Sequence, residues 1–343
     1  MHSQQRIQWI DIARALAMFL VFFGHLGETW FPLLQPALDA IYTFHMPLFF
    51  LLSGLFFKPG VRLSDLARKR ARTLLIPYYV FSVLALISPV VKLLQPSLYA
   101  EAGKSTTTNP LHEILSIVLS QGNSGLWFLW SLFVALLALW LILRLTKGNR
   151  IAQLIVLLLC LATDYATAGA VWRDTMPFQL GRIFEATAYV GLGHLIAQTF
   201  DIRSWDHIPV IQKVACFAAG LLAFLSLEFI TVTHPVCTSP ASWPLVFLTT
   251  LAGIATSISA SLLIPEYEWL SVIGRDSLVF YALNDIALKV VKFGLFSVIK
   301  LPIATMNLPL ELAVGLFIVI LAMGICYASN FFIQRHMRWS IGG

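Results

Sequence analysis

Apolar runs of about twenty residues recur along the chain with short polar stretches between them: 7–27, 41–57, 74–95, 125–146, 151–169, 178–199, 210–232, 244–264, 270–288 and 309–333. An α-helix rises ~1.5 Å per residue and a bilayer's hydrocarbon is roughly 30 Å thick, so each run predicts one crossing helix. The pattern therefore predicts an all-α fold, a polytopic integral membrane helical bundle of about ten transmembrane helices. It forms a single unit over 1–343, with no separate soluble domain expected. The ninth run is the weakest, being short and carrying Arg275, Asp276, Asn284 and Asp285; residues 289–308 after it read as a loop or a half-buried hairpin. The longest polar stretch, 96–124, contains Ser105-Thr106-Thr107-Thr108-Asn109-Pro110 and reads as a flexible turn region. Asp11 and Arg14 interrupt the first run and no small-residue cleavage site follows, which predicts a retained helix and not a signal peptide.

Composition sharpens this picture. The chain is 58% hydrophobic and 12% charged, with a mean hydropathy of +0.81, values outside the range of soluble domains. If the N-terminus is inside, the inner stretches hold most of the basic residues, among them Arg68, Lys69, Arg70, Arg72, Arg144, Arg150 and Arg335. The outer ones hold only Lys104, Arg173, Lys289, Lys292 and Lys300, so the positive-inside rule predicts that both termini are cytoplasmic. The net charge of +6 thus reports orientation toward membrane lipid; aromatic and basic residues do not interleave, so no nucleic-acid partner is expected. Four cysteines without C-x-x-C spacing indicate neither a metal site nor a disulfide scaffold. Oligomeric state is not legible, because apolar faces that meet lipid and faces that meet a second copy look alike.

Ionisable residues inside a span are costly and mark functional positions. Asp11, Arg14 and His25 share one helical face, since eleven positions amount to three turns plus about 20°, over roughly 16 Å. Asp11 and Arg14 read either as a self-neutralising i,i+3 pair or as working groups. His45 opens the second run at the depth of His25, so two histidines face one cavity, and imidazole suits abstraction of a proton from a hydroxyl. A metal held by the two histidines and Glu28 is the competing idea, disfavoured by the wide ligand spacing. Arg68, Lys69, Arg70 and Arg72 read as an anchor for anionic lipid or as a phosphate site. Arg182 and Glu185, one turn apart, read as a structural ion pair or as a substrate lining, and the polar residues from Gly274 to Tyr281 as packing glue or as a polar wall.

The phrase Phe44-His45-Met46-Pro47-Leu48-Phe49-Phe50 with Ser53-Gly54, the basic cluster before Leu75-Ile76-Pro77-Tyr78, and the Arg14-to-His25 spacing together resemble the membrane-bound acyltransferase family 3. The resemblance is strongest over residues 6–80 and continues more weakly to about residue 285. It implies an O-acyltransferase acting on cell-surface glycans, with His25 as the catalytic histidine, Arg14 a required partner, and the cluster ending in Arg72 as the acyl-donor contact. Two departures stand out. The family's Arg-x-x-Arg register falls here on Lys69 and Arg72, and a position often occupied by histidine is Asn284. The chain resembles the stand-alone membrane type, so the periplasmic esterase-like extension of some members is not expected.

The sequence is accordingly expected to encode an integral-membrane O-acyltransferase of the bacterial inner membrane, transferring an acetyl group from acetyl-CoA or another acyl-CoA to a glycan or lipid-linked sugar. No tightly bound cofactor or metal is expected. Asp11, Arg14, His25 and His45 are the catalytic candidates; Arg68, Lys69, Arg70 and Arg72 the donor contacts; Glu28, Arg182, Glu185 and Tyr281 the acceptor contacts. The oxyanion would need a donor such as Arg14, Ser53 or the second histidine. A transporter or exporter of sugars or lipid-linked glycans is the alternative. It predicts flux without consumption of acyl-CoA.

Overall fold

A computed structural model describes residues 6–27, 30–87, 109–120, 125–168, 170, 173, 176–233, 242–301 and 306–342. Among these residues every regular element is helical. The first part of the chain forms α1 (Gln8–Gly24), α2 (Gln35–Tyr42), α3 (His45–Gly54), α4 (Leu63–Arg70) and α5 (Ile76–Ala85). The middle forms α6 (Pro110–Val118), α7 (Trp127–Leu145), α8 (Arg150–Ala166), α9 (Ile183–Thr199) and α10 (Val210–Thr233). The rest forms α11 (Trp243–Leu263), α12 (Glu268–Arg275), α13 (Ser277–Lys292) and α14 (Leu308–His336).

Among the described residues five helical stretches are long and apolar enough to cross a membrane: Pro32–Gly54, α7, α10, α11 and α14. The described parts of the remaining apolar runs are helical too; α1, α8 and α9 have 17 residues each, and residues 88–95 of the third run lie outside the described residues. The ninth run is not one helix. It breaks at Asp276 into α12 and α13, and the segment after it is neither loop nor hairpin at first, because Phe293–Val298 continues the helix as a π turn. The stretch 96–124 also departs from its reading as a flexible turn. Residues up to 108 lie outside the described set, but Asn109 caps α6 by accepting from the Leu111 and His112 amides, and Pro110 takes the first helical position.

Packing is governed by small residues, since lipid tails are as apolar as leucine and give helices no hydrophobic reason to associate. The α3–α9 contact shows this. A Cβ on Gly54 would overlap the Val190 carbonyl, and one on Gly193 would overlap the Leu51 carbonyl, so the two backbones meet where neither helix has a side chain. In the core, Trp9, Phe22, Phe50, Tyr78, Tyr189 and Phe280 are fully buried. By contrast α10 packs on α11 and leaves most of its surface outward, with Leu222, Leu225, Phe229 and Val232 exposed as a lipid-facing helix requires.

The second run is interrupted between α2 and α3. Phe44 leaves helical geometry (φ −135°, ψ −18°), and its ring enters the gap between α10 and α11, edge-on to Phe224 at 5.1 Å and over Gly253. The carbonyl of Thr43, next to the break, is met by the Thr250 hydroxyl at 3.0 Å. A non-helical turn at this depth is tolerated only when another helix satisfies its backbone, and α11 does so. The consequence is that His45 starts a fresh helix.

Candidate active site

α1 and α3 carry the two histidines to the same end of the bundle. His25 sits just past the last turn of α1, and its Nδ1 lies 2.7 Å from the Val21 carbonyl. His45, 1% exposed, places its Nδ1 2.8 Å from the Ile41 carbonyl. A carbonyl can only accept, so each ring carries its proton on Nδ1, and in the neutral form each Nε2 is left with a free lone pair. Both imidazoles are thus set in the tautomer of a base. Tyr42 stands between them, its ring 6.1 Å from His25 and 5.1 Å from His45, while its hydroxyl donates to the Gly24 carbonyl at 3.0 Å. From α13, the Lys292 ammonium donates to the carbonyls of His25 (3.1 Å) and Leu26 (3.3 Å), capping the end of α1 with a cation. Asp285, paired with Lys289 at 2.6 Å, is within electrostatic reach of His25. Glu28 lies outside the described residues, and among those described no group of three or more His, Cys, Asp or Glu is placed to hold a metal ion.

The arginines gather at the opposite end. Asp11 does not pair with Arg14 as an i,i+3 reading has it. The extended residue Ile7 turns Arg6 back onto Asp11, at 2.6 Å. Arg14 is left over the Phe56 ring, 5.6 Å from its centre, with Arg70 within electrostatic reach. Arg70 ends α4 and is half-buried; its Nε has no hydrogen-bond partner among the described residues. Burial lowers the pKa of Arg70 from its ordinary value, the sign of a cation whose desolvation an anion would offset. Arg68, Lys69 and Arg72 are exposed. The reason Arg70 and not the Lys69–Arg72 register turns inward lies in the backbone. Within α4 a step of about 100° puts Lys69 and Arg70 on different faces, and Arg72 falls in the π turn Ala71–Leu75, whose wider winding shifts it from the face a regular count would assign.

The acceptor candidates form a third group. Arg182 lies over the Trp127 ring at 4.4 Å, in reach of Asp164 and Glu185. Asp164 itself binds Arg173 at 2.7 Å, a pair that the sequence reading did not pick out because Arg173 counts there only as a loop charge. Tyr281 donates its hydroxyl to the Gly125 carbonyl and accepts from the Phe128 amide at 3.3 Å, tying α13 to the start of α7. Ser53 donates to the carbonyl one turn back, Phe49, at 2.8 Å. Tyr42 and Thr250 were not singled out by sequence reasoning. The only available signal for Tyr42 was its place three positions before His45.

A search of curated proteins and one of solved structures found no match to this chain. The family model described as an acyltransferase domain matches residues 7–329, a span that takes in both histidines, Arg14, the basic cluster and the broken ninth run. With apolar helices long enough to cross a membrane, the chain belongs to acyltransferase family 3 and is an integral-membrane acyltransferase.

Proposed function

We propose that the protein is an O-acyltransferase that moves an acetyl group, or another short acyl group, from acyl-CoA to a hydroxyl of an extracytoplasmic glycan or lipid-linked sugar. Ten crossings in a bacterial inner membrane would put the arginine end and both termini in the cytoplasm, as the distribution of Lys and Arg favours. The observation that carries the reading is the matched state of the two imidazoles, each with Nδ1 engaged by a carbonyl and Nε2 free.

In this reading Arg14 and Arg70 receive the phosphates of the donor from the cytoplasmic side, where the Arg70 Nε has no hydrogen-bond partner among the described residues and Arg14 shares the nearby Asp11 with Arg6. The pantetheine arm extends the thioester toward His25, over a distance of roughly 16 Å along α1. His25 Nε2 takes the proton from the acceptor hydroxyl, and the oxygen attacks the thioester carbonyl. The C–S bond breaks, the proton passes from the imidazolium to the departing thiolate, and the products are an O-acyl ester and free CoA. Lys292 holds the His25 backbone, and so the base, in place.

The test is transfer of label from acetyl-CoA in membranes carrying the wild type or His25→Ala at matched expression. Label entering a glycan or lipid-linked fraction with the wild type alone is the expected result. Full transfer by His25→Ala would overturn the mechanism.

A further inference from the structure

Tyr42 is 49% exposed, although its ring touches two imidazoles of which one is buried. Its hydroxyl is held by the Gly24 carbonyl, so the ring cannot swing freely, and one part of it stays turned outward. What surrounds the outward part is polar. Asp39, one turn earlier on α2 and exposed, is within electrostatic reach of the Tyr42 hydroxyl, and Gln35 donates to it at 2.7 Å. Glu228 on α10 lies within reach of Asp39, and one of its carboxylate oxygens has no partner among the described residues. Asp285, ion-paired with Lys289, is within electrostatic reach of the neighbouring His25. A lipid tail gains nothing from such a rim. A ring that carries C–H groups on its face and hydroxyls around its edge is suited by both parts of it.

We infer that Tyr42 is the platform on which the acceptor's sugar ring stacks, and that it selects cyclic, hydroxyl-bearing acceptors over water. The inference rests on the acyl-transfer reading above and names the acceptor contact within it. Its geometry is simple. A ring in van der Waals contact lies about 4 Å above the tyrosine. The imidazole centres stand 5.1 and 6.1 Å from the tyrosine centre, so both bases border the ring on which the sugar would stack. Water fits the same space but gains no stacking. Removing the platform therefore disfavours the sugar and leaves transfer to water untouched.

The experiment uses the full chain in its membrane, with labelled acetyl-CoA as donor and the membrane's own glycans as acceptor. Label in the glycan fraction is compared with label released as acetate. Tyr42→Phe and Tyr42→Trp keep an aromatic face and should keep the wild-type partition. Tyr42→Leu and Tyr42→Met should lower the glycan-to-acetate ratio by about two- to tenfold, the loss of one stacking contact, with acetate release unchanged. An unchanged ratio in the leucine and methionine variants overturns the proposal, as does a parallel loss of both products, which would mean that Tyr42 only holds the histidines. A wild type that never opens the thioester overturns the acyl-transfer reading and this inference with it, and is told apart from the other outcomes by intact acetyl-CoA.

Discussion

Replacing Arg70 with methionine keeps most of the side chain's length and its place at the end of α4 while removing the one guanidinium of the basic cluster that is turned inward, beside Arg14. A hydrogen bond to a charged group contributes about 1.5–3 kcal/mol when neither partner is fully solvated, and each ~1.4 kcal/mol is a factor of ten. The Michaelis constant for acyl-CoA should therefore rise by about 10- to 150-fold. Arg68→Met, two positions away and exposed, removes a charge that water already screens, a matter of about 0.2–1 kcal/mol and less than about fivefold. The assay is steady-state transfer in detergent or reconstituted vesicles, with donor concentration varied at saturating acceptor, at low and at high salt. The exposed charge should lose its effect in high salt and the half-buried one should keep it. Equal effects of the two substitutions, or a larger one for Arg68, would refute the assignment of the donor phosphates to the inward-facing pair.

Lys292→Met removes both hydrogen bonds to the end of α1 and should lower kcat roughly tenfold, through misplacement of His25, with little change in the donor Michaelis constant; a kcat equal to wild type would show that the ammonium does not position the base. Gly342 has φ +79°, and a Cβ there would overlap the Arg72 carbonyl, so Gly342→Val should destabilise the fold by at least about 1–2 kcal/mol, read as a lower unfolding temperature in detergent. An unchanged unfolding temperature would mean that the segment is not docked on the π turn.

The apolar runs located α7, α10, α11 and α14 to within a few residues, because twenty apolar residues have few alternatives to a membrane helix. It did not locate the breaks. Phe44 is as apolar as its neighbours, and only the pocket made by Phe224 and Gly253 shows why the helix opens there. The partner of Asp11 was left open for a related reason. Spacing within a helix favours Arg14, but Arg6 lies before the helix on an extended residue and reaches back. The Arg-x-x-Arg register pointed to Lys69 and Arg72 and left Arg68 or Arg70 to share the role, and the π turn at Ala71–Leu75 is a backbone feature with no side-chain signature. The cap of α6 was legible, since Asn109-Pro110 is a strong helix start that a reading of the surrounding polar run as a turn passed over. The histidines were found because ionisable groups in apolar runs stand out, and Tyr42 was not, because an aromatic residue there does not.

The contacts that complete both ends of the bundle also set an order of assembly. α1 is synthesised early, yet α12 packs on it so closely that no side chain fits at Gly274 above the Asp11 carbonyl, and the carbonyl of His25 waits for Lys292, 267 positions later. The π turn beneath the arginines likewise waits for Gly342. Contacts of such separation form late, after the intervening chain has been inserted. A nascent or truncated chain therefore holds its histidines and arginines without the backing that aligns them, and competence for acyl transfer should arrive in one step with the insertion of residues 274 to 342.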